Sequence, residues 1–252
     1  MDTQLVKQLS QLKLAGIIKT LDIRNQEAIK SNLSYVEFLE LLIEDELTNR
    51  KDNAYKKKFY RAHFPYTKTL EEFDFTFQEK LDKRLIFDLA TCNFIRKKEN
   101  VIFIGPPGVG KTHLSIAIGL KAIAQNFNVI FTTVSDMLSN ILISKADGTF
   151  YQKLKYYTNC DLLILDELGY KRLNPNVVDE FFEVISRRYE KSSTIITSNK
   201  SFKEWGDIFH DSVLASAIID RIIHHCNVVI IQGESYRMKD KKLKNKGVIS
   251  GV

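Results

Sequence analysis

Apolar positions recur along this chain in two different patterns. Over the first sixty-odd residues the spacing is helical: Leu5, Leu9 and Leu12, then Leu14, Ile17, Ile18 and Leu21. A second helix is predicted to start at Ser34-Tyr35-Val36-Glu37, a capping box, with Leu33 and Phe38 placed for a hydrophobic staple. Phe38, Leu41, Leu42 and Leu47 continue its apolar stripe, and Glu40, Glu44 and Asp45 are expected to face water. Pro65, within His63-Phe64-Pro65-Tyr66, disfavours helix at the residue before it. The expected boundary of a helical N-terminal domain, 1–66, follows from that.

Beyond residue 67 the pattern changes. Val101 to Ile104, Val129 to Thr132, Leu162 to Leu165, Thr194 to Thr197 and Val228 to Ile231 are short, nearly continuous apolar runs rich in β-branched residues. Each suits a strand buried on both faces. The intervals between them are long enough for crossover helices, which predicts an α/β domain, 67–236, built on a parallel sheet. Gln78 to Lys98 is expected to form one more helix ahead of the first strand, and 237–252 a basic tail.

Composition narrows the setting. A chain of 252 residues, 44% hydrophobic, holds one substantial domain and a small appendage. No apolar run is long enough to span a bilayer and no signal-peptide core opens the chain, so the expected location is cytoplasmic, with no membrane partner. Cys92, Cys160 and Cys226 are far apart and odd in number, which favours reduced thiols over disulfides or a zinc site. The net charge of +6 is concentrated in two clusters. One is Arg50, Lys51, Lys56, Lys57, Lys58 and Arg61; the other is Arg237, Lys239, Lys241, Lys242, Lys244 and Lys246. Such clusters suit a polyanion such as DNA, through phosphate neutralisation, and suit a solvated face equally well.

Candidate chemistry sits where the first strand meets a helix. Gly105, Pro106, Pro107, Gly108, Val109, Gly110, Lys111 and Thr112 fit the phosphate-binding loop G-x-x-x-x-G-K-[ST]. Its glycines let backbone N–H groups turn inward around phosphate oxygens at a positive helix end. Lys111 is then expected to reach the β- and γ-phosphates of ATP, and Thr112 to ligand Mg²⁺. Farther on, Leu162-Leu163-Ile164-Leu165-Asp166-Glu167 is an apolar strand ending in two carboxylates. Asp166 would complete the Mg²⁺ shell beside Thr112, and Glu167 would orient and deprotonate the attacking water. Asn199, after the fourth strand, could bind the γ-phosphate or begin a turn. His224 and His225 are adjacent, so they are expected to point in different directions and make a poor metal pair; His113 is expected to be structural.

Together these residues resemble the AAA+ ATPases, and within them the IstB-like helper proteins of bacterial insertion sequences. The likeness runs through Leu39 to Arg50, Thr69-Leu70-Glu71-Glu72-Phe73-Asp74-Phe75, the phosphate loop with His113-Leu114, and Asp166-Glu167-Leu168-Gly169-Tyr170. It continues in Arg188-Tyr189-Glu190, Thr197-Ser198-Asn199, Glu204-Trp205-Gly206, Asp220-Arg221 with His224-His225, and Gly233-Glu234-Ser235-Tyr236-Arg237. The resemblance implies a five-stranded sheet of order 5-1-4-3-2, Asn199 as sensor I, and Arg221 as an arginine finger offered to a neighbouring subunit's ATP. An intramolecular ion pair is the other role open to Arg221. Phe73 to Phe75 would line the adenine. No helical C-terminal lid is expected, so Arg237 becomes the candidate substitute for a lid arginine, and hydrolysis is expected to depend on assembly. The implied function is an ATPase that assembles with ATP on double-stranded DNA and helps a transposase engage its target. Arg50, Lys56, Lys57, Lys58 and Arg61 are the candidate DNA contacts. A DnaC-like replicative helicase loader is the alternative.

Overall fold

A computed structural model of the chain describes residues 3–170, 173, 177–209 and 211–239. The chain divides into two compact units, Met1–Lys58 and Phe59–Val252. The division therefore falls inside a helix, ahead of the Pro65 signal. Phe59, Ala62 and Phe64 account for it, because all three pack into the hydrophobic core of the larger unit.

The smaller unit is built from α1 (Thr3–Gln11), α2 (Ala15–Ser31) and most of α3 (Tyr35–Ala62). The capping box forms: Ser34 N–H donates to the Glu37 carboxylate at 2.7 Å, and Glu37 N–H to the Ser34 hydroxyl at 3.3 Å. Polar contacts join the helices. Glu46 is buried and accepts the N–H groups of Gly16 and Ile17 at 2.6 and 3.3 Å, placing an anion at the N-terminal end of α2. Arg24 forks onto Asp45 with two contacts of 2.8 Å. This corrects the expected face of α3: Asp45 turns inward to Arg24 while Leu47 is 53% exposed.

The larger unit opens with α4 (Lys83–Ala90) and α5 (Asn93–Arg96), where one helix over 78–98 was expected. Asp82 explains the late start, since its carboxylate caps the N–H groups of Arg84 and Leu85. Cys92, at φ 59°, breaks the run between the two. Then follow β1 (Asn100–Ile104), α6 (Lys111–Ala124), β2 (Val129–Thr133), α7 (Val134–Ala146), α8 (Phe150–Thr158) and β3 (Leu162–Leu168). The rest is α9 (Val178–Arg188), β4 (Ser193–Ser198), α10 (Trp205–Phe209), α11 (Ser212–Ile223) and β5 (Cys226–Ile230). All five strands are parallel, in the order β2-β3-β4-β1-β5, which is the expected 5-1-4-3-2.

Alternation along each strand feeds two cores, one on either face of the sheet. Val101, Phe103, Leu162 and Ile164 meet α4 and α6 residues such as Ile86, Ile116 and Leu114. Ile102, Leu163, Leu165 and Ile196 meet α7, α9 and α11 through Met137, Phe181 and Ile218. Among the described residues, only a 3₁₀ turn at Tyr236–Met238 follows β5, and no helix is long and apolar enough to cross a membrane. Lys241, Lys242, Lys244 and Lys246 of the expected basic tail lie outside the described residues.

Candidate nucleotide site

The phosphate loop joins the carboxyl end of β1 to the first turn of α6. Gly110, at φ 100°, occupies a left-handed conformation that a side chain disfavours, and a Cβ there would lie 2.5 Å from the Phe73 ring. Lys111 folds back over the loop and donates to the carbonyls of Gly105 and Pro106 at 2.7 and 2.8 Å. Burial lowers its pKa; the carboxylate of Asp166 opposes that shift and the charge of Arg237 adds to it. A phosphate oxygen is a stronger acceptor than a carbonyl, so Lys111 can exchange one for the other without leaving the loop.

Asp166 is buried on β3. The Thr112 hydroxyl lies 2.9 and 3.0 Å from its two oxygens, and the Thr197 hydroxyl of β4 donates to the same carboxylate. A hydroxyl and a carboxylate this close form the hard oxygen pair that suits Mg²⁺, which takes few protein ligands and completes its shell with water and phosphate. These residues fit the ion.

The sequence pattern ends the strand at Glu167; β3 runs one residue further, to Leu168. Pairing with β4 slips between Leu165 and Leu168, and Glu167 takes φ 64° at the irregularity. Its N–H donates to the Thr197 hydroxyl at 3.0 Å, and its side chain is exposed while both neighbours are buried. Leu168 is what carries the strand on, because it is fully buried and re-pairs with Ser198. A left-handed backbone at a non-glycine residue stores strain, and here it turns one carboxylate out of the sheet beside another held in it.

A cavity of about 420 Å³ adjoins the loop, in the size range of cofactor sites. Besides Gly108 to His113 it is lined by Tyr66, Lys68, Glu72, Phe73, Asp74, Gln78, Tyr236 and Arg237. Phe73 sits edge-on to His113, whose Nε2 is 2.7 Å from the Thr69 carbonyl. Phe75 packs behind Phe73, with ring centroids 4.8 Å apart. Burial pushes the Tyr66 phenol up, with Asp166 and Glu167 adding and Arg237 opposing.

The remaining candidates are placed as follows. Asn199 is half-buried and comes directly after β4, between the strands that carry the loop and Asp166. Arg221 on α11 does not line the cavity. It donates to the Ala217 carbonyl at 2.9 Å and lies 4.8 Å from the Phe182 ring; among the described residues no carboxylate pairs with it. Lys56, Lys57 and Arg61 are exposed on α3 and Lys58 is half-buried. Arg50 pairs with Glu46 at 2.7 Å and reaches the Lys13 carbonyl, so its fork is engaged in the helical unit.

His224 and His225 do not point apart. Their rings pack 4.1 Å from each other, and both lie within 3.8 Å of Glu190. His224, the cap residue of α11, also meets the Tyr189 hydroxyl at 2.9 Å. All three thiols are free, Cys92 and Cys160 buried and Cys226 half-buried.

Sequence reasoning gave no role to Thr197. A threonine near the carboxyl end of β4, just before Ser198 and Asn199, was its signal.

The fold and site define a P-loop AAA+ protein. The sequence profile of the IstB-like ATP binding protein family matches residues 7–244, and the chain belongs to that family. It is 44% identical over 85% of its length, and 86% of the relative's, to a protein of Geobacillus stearothermophilus named for ATP binding in insertion sequence IS5376. The solved structure of DnaA from Aquifex aeolicus with AMPPCP bound is similar at 25% identity and TM-score 0.56, over 73% of this chain. This chain spans a little over half of that initiator, 56%. A solved DnaC helicase loader shares the fold at 21% identity and TM-score 0.51, over 72% of this chain and 98% of its own.

Proposed function

We propose that the protein is a Mg²⁺-dependent ATPase that assembles on duplex DNA with ATP bound and helps a transposase engage its target. The observation carrying the reading is the arrangement of Asp166, held by Thr112 and Thr197, next to an outward-turned Glu167. Lys111 and the loop N–H groups bind the triphosphate, Thr112 and Asp166 hold the metal, and Asn199 steadies the γ-phosphate or the lytic water. Held there, Mg²⁺ would supply neutralisation of phosphate charge. Glu167 takes the proton of the attacking water, a task that suits an exposed carboxylate fixed by a strained backbone. A pure binder has no use for that residue.

Arg221 completes the site of a neighbouring subunit. That it does not line the cavity of its own chain, together with the lack of a carboxylate partner among the described residues, supports action in trans. Lys56, Lys57, Lys58 and Arg61 are the proposed phosphate contacts to DNA, with little base reading. Arg50, engaged by Glu46, contributes least. Membership of an insertion-sequence family supports a transposase as the partner.

The test is binding to double- and single-stranded DNA across a salt series, with ATP, with ADP, and with Glu167→Gln plus ATP, while light scattering reports assembly. ATP-dependent, duplex-preferring assembly that persists in the variant supports the proposal. Preference for single strands favours a helicase loader instead. Failure to bind DNA in any nucleotide state rules out both.

A further inference from the structure

Helices α9 and α11 pack together, with Arg221 over the Phe182 ring, and both end at a cluster that the nucleotide chemistry does not use. Tyr189 caps α9 and Glu190 follows it; His224 caps α11 and His225 follows it. The two histidines form the turn between Ile223 and Cys226, the first residue of β5. Glu190 takes φ 57°, a left-handed backbone that costs energy at a non-glycine residue and that sites holding a ligand tend to keep. All three side chains are exposed, so core packing does not bring them together.

Their geometry is that of ligands around one centre. The imidazoles of His224 and His225 lie 4.1 Å apart. The Glu190 carboxylate stands 3.7 Å from His224 Nδ1 and 3.8 Å from His225 Nε2, too far to hydrogen-bond either ring. One ligand atom of each residue lies within 4.8 Å of those of the other two. In a tetrahedral zinc site, with bonds of about 2.0–2.1 Å, neighbouring ligand atoms stand about 3.4 Å apart. The carboxylate and the two rings therefore need to close by only a few tenths of an ångström, leaving the fourth position to water. The Tyr189 hydroxyl, 2.9 Å from His224 Nδ1, is the group an ion must displace.

The local field also suits a cation. Two helix carboxyl ends meet here, and each carries partial negative charge on its last carbonyls. The charges of Asp220 and Arg221 both reach Tyr189 and oppose one another. Two imidazoles and one carboxylate are the donor set of a borderline dication, not of Mg²⁺.

We infer that Glu190, His224 and His225 form a site for Zn²⁺ or a similar imidazole-binding dication. The bound ion clips the end of α11 to the end of α9, one turn from Arg221.

Zn²⁺ titration of the tag-free full chain against a chromophoric chelator, with excess Mg²⁺ to fill the Thr112–Asp166 site, tests it. Wild type should bind one ion. Glu190→Gln, His224→Ala and His225→Ala should each weaken it by roughly 10-fold or more, since loss of a mere outer partner already costs that much. His63→Ala, away from the cluster, should change nothing. Affinity should fall in acid, because imidazole coordinates only when neutral. Zn²⁺ should raise the melting temperature of wild type and not of His225→Ala. If a histidine variant melts lower without metal, Glu190→Gln, which keeps the side-chain shape, decides. Co²⁺ in place of Zn²⁺ should give a spectrum without a thiolate band. Equal affinity in wild type and all three variants overturns the inference. So does a loss confined to one variant, a Co²⁺–thiolate band, or no binding by wild type.

Discussion

The Thr197 hydroxyl donates to the carboxylate of Asp166 and accepts the N–H of Glu167, so one side chain on β4 holds the Asp166 carboxylate and the Glu167 backbone. The contact exists because β4 lies between β1 and β3 and the β3–β4 pairing slips at this point, freeing the Glu167 N–H from the ladder. Thr197→Val keeps the shape and removes both bonds. It leaves the part-buried N–H of Glu167 without this acceptor, expected to cost about 1 kcal/mol in stability. Single-turnover hydrolysis should fall roughly 10-fold or more as Glu167 loses its fixed position, with little change in ATP affinity. Thr197→Ser should restore both. Denaturant unfolding and a rapid-quench assay on the same preparations would check it, and a valine variant that hydrolyses at the wild-type rate would remove Thr197 from the mechanism.

Arg221 offers a test by mixing subunits. Arg221→Ala should leave ATP binding by the single chain unchanged, while assembled hydrolysis falls by about 10³, the scale of a lost arginine finger. Glu167→Gln subunits keep Arg221 but lack their own base. Mixed with Arg221→Ala subunits they should restore part of the lost hydrolysis, because each intact site then draws its arginine from the other variant. Two inactive variants that stay inactive in mixture would place Arg221 outside the neighbour's site.

Much of the nucleotide site was legible in the sequence because it depends on local constraints. The glycines and Lys111 are required by the loop's own backbone, and the five apolar runs are required by burial on both faces. What escaped depends on contacts distant in sequence. Nothing near Asp45 announces Arg24 as its partner across the helical hairpin, so in the sequence Asp45 reads as a solvated residue of α3. The tight juxtaposition of His224 and His225 follows from Glu190 and Tyr189 on another segment. Cys92 carries no turn signal, and its left-handed backbone is imposed by packing of α4 and α5, which leaves its side chain fully buried.

Arg188 is the largest charged group in the core, 1% exposed. Its guanidinium donates to the carbonyls of Tyr157, Cys160 and Ser193, the hydroxyl of Thr194 and the thiol of Cys160; no carboxylate pairs with it among the described residues. Burial lowers its pKa. These bonds tie the end of α9 to α8 and to the starts of β3 and β4, at the amino ends of the strands, opposite the site. Arg188→Met would leave three carbonyls without this donor, and a loss of roughly 3 kcal/mol or more is expected. Arg188→Lys keeps a charge but not the fork, and should recover less than half of that. Guanidinium unfolding would decide; a methionine variant of wild-type stability would mean that water takes over the acceptors.

The helical unit should be sensitive to acid through Arg24 and Asp45. The hydrogen bond from Arg24 holds the Asp45 carboxyl at about 2, below the aspartate value of the unfolded chain, about 3.9. A depressed carboxylate pKa stabilises the fold above the unfolded value, and that contribution fades as pH falls through the folded one. The window is therefore between about pH 4 and pH 2. Glu46, also held low, first by Arg50 and further by the N–H groups of Gly16 and Ile17, acts in the same direction. Hydrogen exchange of α2 amides in the full chain, corrected for intrinsic rate, should show protection lost across that window. Asp45→Asn should lower protection at neutral pH and shrink the acid-dependent step, leaving the part due to Glu46. A step of undiminished size in Asp45→Asn would assign the acid sensitivity to Glu46 alone.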